Sequence, residues 1–231
     1  MQMAIAVILA AGYGTRMGGL MPKQFWPIEG RTVLEHTAEA FLQHPGITEV
    51  ALVVPQVQLQ WVQTLFAGIP KVKKILAGGV TRSDSSLIAV RAYANQPDVW
   101  LLFHDGARPL VTAETITAAI DAAAKYEAVT AAIPSIDTIL VSKADCHEID
   151  TIPERRLMYR CQTPQAFRQH VIAEAYAVAE KDHSFFASDD CGVIRKYLPA
   201  VKIGIIPGSE GNIKLTYARD MEFLAEQFKK Q

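Results

Sequence analysis

Ala4-Ile5-Ala6-Val7-Ile8-Leu9-Ala10-Ala11-Gly12-Tyr13-Gly14-Thr15-Arg16-Met17-Gly18, with Pro22-Lys23-Gln24 just beyond, decides how this chain is read. The run Ala4 to Leu9 is continuously apolar and short, as expected of a strand buried on both faces. The chain then leaves that strand through small residues. Gly12 and Gly14 can adopt positive φ and present their N–H groups without a Cβ in the way. Such a loop can wrap a polyphosphate with backbone donors. Arg16 adds a fixed cation and Lys23 a mobile one. The stretch therefore reads as a nucleoside triphosphate loop. The plain alternative is a glycine-rich turn carrying a surface Arg and Lys. A Walker A loop would need Gly-Lys-Ser/Thr after Gly12, which is absent. A dinucleotide fingerprint would need a third glycine where Met17 stands.

Outward from that loop, strands and helices alternate. Strands are expected over Glu49 to Val54, Lys73 to Ala77, Val99 to Phe103, Ala128 to Ile133, Val201 to Ile206 and Ile213 to Thr216. Helices are expected over Arg31 to Gln43, Gln56 to Phe66, Ser83 to Asn95, Ala113 to Tyr126 (capped by Thr112), Gln165 to Lys181 and Tyr217 to Lys230. The alternation predicts an α/β fold with a mostly parallel, Rossmann-like sheet and helices on both faces. Ligands of such sheets sit beyond the carboxyl ends of the strands. Ala10 to Lys23, Gly78 to Ser85 and His104 to Pro109 all fall there. After Pro134 the pattern breaks. Thr138 to Val141 and Glu148 to Ile152 read as a hairpin arm, within residues 135–160, on a single domain spanning 1–231.

Composition bounds the function. The 231 residues carry a net charge of −1 and are 50% hydrophobic, which suits one packed α/β unit. Nothing basic enough for nucleic acid stands out, and no apolar run approaches a membrane span. Cys146, Cys161 and Cys191 form no C-x-x-C pair and read as free thiols in a reducing cytoplasm.

Three further stretches carry chemistry. In His104-Asp105-Gly106-Ala107-Arg108-Pro109, a carboxylate at the end of a central strand needs a cation. Mg²⁺ on two phosphates would supply one, and a structural Asp105–Arg108 ion pair is the alternative. His104 reads as packed or hydrogen-bonded rather than as a base. Gly78-Gly79-Val80-Thr81-Arg82-Ser83-Asp84-Ser85 lets backbone approach a flat ring, with Ser85 as donor and acceptor; Ser83 as a helix cap and Asp84 as a first-turn acid is the plainer reading. Asn212-Ile213-Lys214-Leu215-Thr216 holds a lysine which, alone, would read as an edge residue.

Together, Ala-Ala-Gly-Tyr-Gly-Thr-Arg-Met (10–17) with Pro-Lys-Gln-Phe (22–25), His-Asp-Gly-Ala-Arg-Pro (104–109), Asn-Ile-Lys-x-Thr (212–216) and Thr163-Pro164-Gln165 resemble the cytidylyltransferases. That family makes CDP-alcohols from CTP and a polyol phosphate. The resemblance covers almost the whole chain and implies a nucleotide-diphospho-sugar-transferase-type sheet. It implies that Arg16, Lys23, Arg155 and Lys214 are catalytic. It places Leu9, Ala10, Ala11, Gly12, Gly14, Thr15, Arg16, Lys23, Gly79, Asp84, Ser85, Gly106 and Lys214 on the nucleotide. It assigns Asp105, Gly106, Arg108, Thr138, Arg155 and Thr163 to the acceptor, and Asp105 to Mg²⁺. The arm would reach a second subunit, making a homodimer with a shared active site.

Within the family, Arg82-Ser83-Asp84-Ser85 fits enzymes that use 2-C-methyl-D-erythritol 4-phosphate, in isoprenoid precursor synthesis by the non-mevalonate route. Ile136 and Leu140, and Met158-Tyr159, fit those using ribitol 5-phosphate. The first acceptor is the expectation and the second its alternative. A regulatory module that kept the loop and lost catalysis is disfavoured by Arg16, Lys23, Asp105 and Lys214 occurring together. A nicotinamide reductase is disfavoured by Met17 and by the lack of a Tyr-x-x-x-Lys pair.

Overall fold

The computed structural model describes residues 4–12, 21–182, 184–185 and 187–230. In chain order the strands are β1 (Ala4–Leu9), β2 (Pro27–Ile28), β3 (Arg31–Thr32), β4 (Ile47–Val54), β5 (Val72–Ala77), β6 (Trp100–Asp105), β7 (Ala128–Pro134), β8 (Val141–Ser142), β9 (Ile149–Thr151), β10 (Tyr159–Arg168) and β11 (Ile203–Pro207). The α-helices are α1 (Val33–Gln43), α2 (Leu59–Leu65), α3 (Arg82–Ala92), α4 (Ala113–Asp121), α5 (Gln169–Ala179), α6 (Asp190–Tyr197) and α7 (Ala218–Phe228).

Seven strands form one sheet in the order β11-β7-β10-β6-β1-β4-β5. All neighbouring pairs are parallel except those of β10, which runs antiparallel to both β6 and β7. β1 is central and buried on both faces, which is why its sequence does not alternate. Ala4, Ala6 and Ile8 enter one core, with Leu34 and Phe41 of α1 and Ile116 of α4. Ile5 and Val7 enter the other, with Val90 of α3, Ile172 of α5 and Ile194 of α6.

The expected α/β sheet is present, and most element bounds agree to within a few residues. The segment expected as a helix from Gln165 begins as strand instead. Gln165 to Arg168 complete β10, and α5 starts at Gln169. Gln165, Ala166 and Phe167 are fully buried between β6 and β7, so the tertiary slot overrides helical spacing. Ile213 to Thr216 is not a strand. It is irregular backbone held by the bond from Leu215 N–H to Ala107 O and by burial of Leu215. α6 was not expected; it is a short helix capped by Asp189, whose carboxylate accepts from Gly192 N–H at 2.7 Å. Thr112 caps α4 as expected.

The arm is a two-stranded antiparallel hairpin of β8 and β9. It leaves Ile136, Leu140, Ile149, Ile152 and Leu157 exposed. Among the described residues no helix is long and apolar enough to cross a membrane. Cys146, Cys161 and Cys191 are free thiols.

Candidate active site

The carboxyl ends of β1, β5 and β6 open onto one cleft. It is lined by Leu9, Ala10, Ala11, Gly12, Lys23, Gln24, Gly79, Val80, Thr81, Arg82, Ser85, Asp105, Ala107 and Lys214. Parallel pairing makes the convergence: Leu9 and Asp105 are register partners, and Gly106 N–H donates to Leu9 O at 2.8 Å. Three loops far apart in the chain therefore meet because their strands are neighbours or near-neighbours in one parallel array.

The close approach of these loops demands small residues. A Cβ on Gly78 would lie 2.2 Å from Ala11 Cβ, and one on Gly79 would lie 2.2 Å from Asp84 Cβ. A Cβ on Gly106 would lie 2.8 Å from Ala10 Cβ. Gln24, 3% exposed, ties the segment after the first loop back to it. Its amide donates to Ala10 O at 2.5 Å and to Gly12 O at 2.9 Å. That anchor sets the position of its neighbour Lys23.

Asp105 is the electrostatic centre of the cleft. Oδ2 pairs with Lys214 Nζ at 2.9 Å and Arg108 Nε at 3.2 Å, and Oδ1 faces Arg82 Nε at 3.9 Å. Burial alone would raise its pKa, but Lys214, Arg82 and Arg108 together hold the carboxyl well below the usual range. The group is ionised at any physiological pH. Its backbone N–H donates to Thr163 Oγ1 at 3.1 Å, which joins β6 to β10.

Lys214 owes its place to packing and not to a strand. Arg108 Nη1 donates to Asn212 O at 2.7 Å, and Asn212 Nδ2 donates to Thr163 O at 2.8 Å. Buried Leu215 then pins the segment beside Ala107. Thr37 of α1 supports the same loop by donating to Gly106 O at 3.1 Å.

His104 lies fully buried beneath this turn. Its Nε2 meets Arg108 O at 3.1 Å, and a carbonyl only accepts, so Nε2 carries the proton. Burial lowers its pKa to about 4, so the ring is neutral and structural, as its sequence context suggests.

The expected residues divide into groups. Leu9, Ala10, Ala11, Gly12, Lys23, Gly79, Ser85, Asp105 and Lys214 line the cleft. Gly106 and Arg108 support its wall from the adjoining turn. Asp84 is in a capping box: its carboxylate accepts from Thr81 N–H while its own N–H donates to Thr81 Oγ1. Thr163 is buried behind Asp105, whereas Thr138 and Arg155 are exposed on the arm and outside the cleft wall. Gly14, Thr15 and Arg16 lie outside the described residues. Five cleft residues were absent from the expected set, Gln24, Val80, Thr81, Arg82 and Ala107; of these, Gln24 and Arg82 reach across the cleft with their side chains. Both stand inside motifs quoted above. Their significance is a matter of side-chain direction, which spacing along the chain does not give.

Comparison with known proteins fits this geometry. The family model described as IspD, 2-C-methyl-D-erythritol 4-phosphate cytidylyltransferase, matches residues 4–230. The 2-C-methyl-D-erythritol 4-phosphate cytidylyltransferase of Thermobifida fusca is 40% identical over 222 residues, covering 94% of this chain and 89% of that protein. The bifunctional ribulose 5-phosphate reductase/CDP-ribitol pyrophosphorylase Bcs1 of Haemophilus influenzae is also 40% identical, over 96% of this chain but 47% of its own length. Among solved structures, the 4-diphosphocytidyl-2C-methyl-D-erythritol synthase of Anaerococcus prevotii superposes with a TM-score of 0.86 at 28% identity, covering 100% of this chain and 99% of that one. A cleft of small loops and cations around one aspartate, matched along the full chain by one family model and its curated relatives, places this protein in the 2-C-methyl-D-erythritol 4-phosphate cytidylyltransferase family.

Proposed function

We propose that this chain transfers the cytidylyl group of CTP to 2-C-methyl-D-erythritol 4-phosphate and releases pyrophosphate. An acceptor phosphate oxygen bonds to the α-phosphorus, and the bond from that phosphorus to the bridging oxygen of pyrophosphate breaks. No covalent enzyme intermediate is required. Catalysis then rests on bringing two anions together and offsetting charge at one phosphorus. The observation that carries the reading is the meeting of Lys23, Lys214 and Asp105 with the small-residue loop in one cleft.

In this reading the backbone of Leu9 to Gly12, Gly79 and Ser85 holds the nucleotide, and the family resemblance adds Gly14 and Thr15 to that set. Lys23 faces the triphosphate, a role the family resemblance also gives to Arg16, and Lys214 shares its charge between Asp105 and the phosphates. Asp105 suits Mg²⁺: its Oδ2 is engaged by two cations, while among the described residues the nearest cation to Oδ1 is Arg82 Nε at 3.9 Å. One carboxylate plus substrate phosphates is an ordinary Mg²⁺ donor set. Such an ion would neutralise phosphate charge beside the reacting phosphorus.

Thr138 and Arg155, exposed on an arm with an apolar surface, serve the acceptor phosphate in the cleft of a second subunit. That makes the working form a homodimer, and it is cytoplasmic. Ribitol 5-phosphate is the alternative acceptor, favoured by exposed Ile136 and Leu140 and by the Haemophilus relative.

Pyrophosphate release from CTP with each polyol phosphate in turn tests the reading. Turnover with the methylerythritol compound at least about tenfold above the ribitol compound is expected, a preference of roughly 1.4 kcal/mol. The reverse order would replace the acceptor. Release with neither would remove the assignment.

A further inference from the structure

Behind the cleft lies a carboxylate that the transfer chemistry does not use. Asp190, the first residue of α6, is 0% exposed. Its Oδ1 accepts from Tyr176 Oη at 2.7 Å and its Oδ2 from Arg82 Nη1 at 2.7 Å. Its N–H donates to Oε1 of Gln165, itself fully buried, at 3.1 Å. Three elements, β10, α5 and α6, therefore fix one carboxylate, and that carboxylate grips one arginine.

Arg82 opens α3 and reaches two ways. Nη1 meets Asp190, and Nε points to Asp105 Oδ1 at 3.9 Å, while the side chain keeps 25% of its surface exposed in the cleft wall. A buried ion pair is weak evidence of stabilisation, because well-packed apolar residues often replace such pairs without loss. A guanidinium does, however, need an orienting partner if its planar fork is to present a set direction. With the nucleotide reading above as its premise, we propose that Asp190 is a positioning residue: it orients Arg82 as a cleft cation for the nucleotide's phosphate chain. The helical layer of α5 and α6 thereby sets the charge of a site it does not line.

The test uses Asp190→Asn, Arg82→Ala and the double variant of the full-length protein. The readouts are kcat, KM for CTP, KM for the polyol phosphate, affinity for inorganic pyrophosphate by calorimetry, and melting temperature. Asp190→Asn should lower kcat/KM for CTP by about 10–30-fold and weaken pyrophosphate to a similar degree, as befits loss of one charge-assisted contact. KM for the polyol phosphate should stay within about twofold. On the Arg82→Ala background, Asp190→Asn should cost no more than about a further twofold, since an indirect role vanishes with its intermediary.

Independent, multiplying losses in the double variant would overturn the proposal. So would a lower melting temperature with unchanged kcat/KM and pyrophosphate affinity. If Asp190→Asn does not fold, Tyr176→Phe takes its place. It should give a smaller loss of pyrophosphate affinity, about 2–5-fold, that is absent without Arg82; a loss that persists without Arg82 counts against the idea. A wild-type protein that does not turn over CTP would sink the functional reading instead, while pyrophosphate affinity would still report on Arg82.

Discussion

Replacing Gln24 by methionine should both destabilise the fold and slow the reaction. Met keeps the length and volume of Gln and removes the amide, so packing around residue 24 changes little. What is lost is the pair of bonds to Ala10 O and Gly12 O. Ala10 is 3% exposed, so its carbonyl cannot turn to water. A buried carbonyl left without a donor costs about 1–3 kcal/mol. Gly12 is exposed and its carbonyl recovers a water, so its share is about 0–1 kcal/mol. The sum is about 1–4 kcal/mol, and at about 2–4 °C per kcal/mol for a chain of this size that is a fall in melting temperature of roughly 2–16 °C.

The same loss frees the first loop from the Lys23 segment. kcat/KM for CTP should drop by about tenfold or more, measured well below the melting transition, because positioning is the main catalytic contribution here. Gln24→Glu sharpens the case. It has the same shape but offers an acceptor to two carbonyls, so it should be at least as damaging. Circular dichroism melts and pyrophosphate-release kinetics on the three proteins decide the matter. A melting shift under about 2 °C for Gln24→Met, with unchanged kinetics, would refute the reasoning, since no orphaned buried carbonyl could then exist.

Three further outcomes are expected. Gly79→Ala puts a methyl 2.2 Å from Asp84 Cβ, so the start of α3 must shift; KM for CTP should rise about tenfold or more at a stability cost of about 1–3 kcal/mol, and an unchanged KM would count against the loop's role. Lys23→Ala should lower kcat by about 100-fold while CTP affinity falls much less, as for a charge felt mainly in the transition state; a variant with near-normal turnover would remove Lys23 from the mechanism. His104 has a folded pKa of about 4 against an ordinary 6.5, so the unfolded chain binds the extra proton. Stability is complete above about pH 6.5 and falls as the pH drops towards 4, by about 3 kcal/mol from this residue. Urea midpoints of His104→Gln, which keeps a donor for Arg108 O but does not titrate, should be flatter over that range. His44, also shifted down, leaves a smaller slope of the same sign; a variant as pH-sensitive as the parent would contradict a neutral, buried His104.

The sheet was legible in the sequence because its central strands are buried on both sides and so leave continuous apolar runs such as Ala4 to Leu9 and Trp100 to Phe103. The loops at their carboxyl ends were legible because close approach there admits only small residues, as at Gly78, Gly79 and Gly106. Local pattern failed where long-range packing decides. Gln165 to Arg168 carry helical spacing yet form strand, since the space between β6 and β7 needs one. Lys214 looked like a strand residue but is carried to Asp105 by irregular backbone anchored at Leu215 and Asn212. Arg82 and Asp190 stand 108 positions apart in the chain, and no spacing rule links them. The sequence alone thus determined which segments are buried and where backbone must be bare, because those are properties of single residues and their neighbours. Which cations surround Asp105 was settled only when the chain closed, because charge acts through space and not along the backbone.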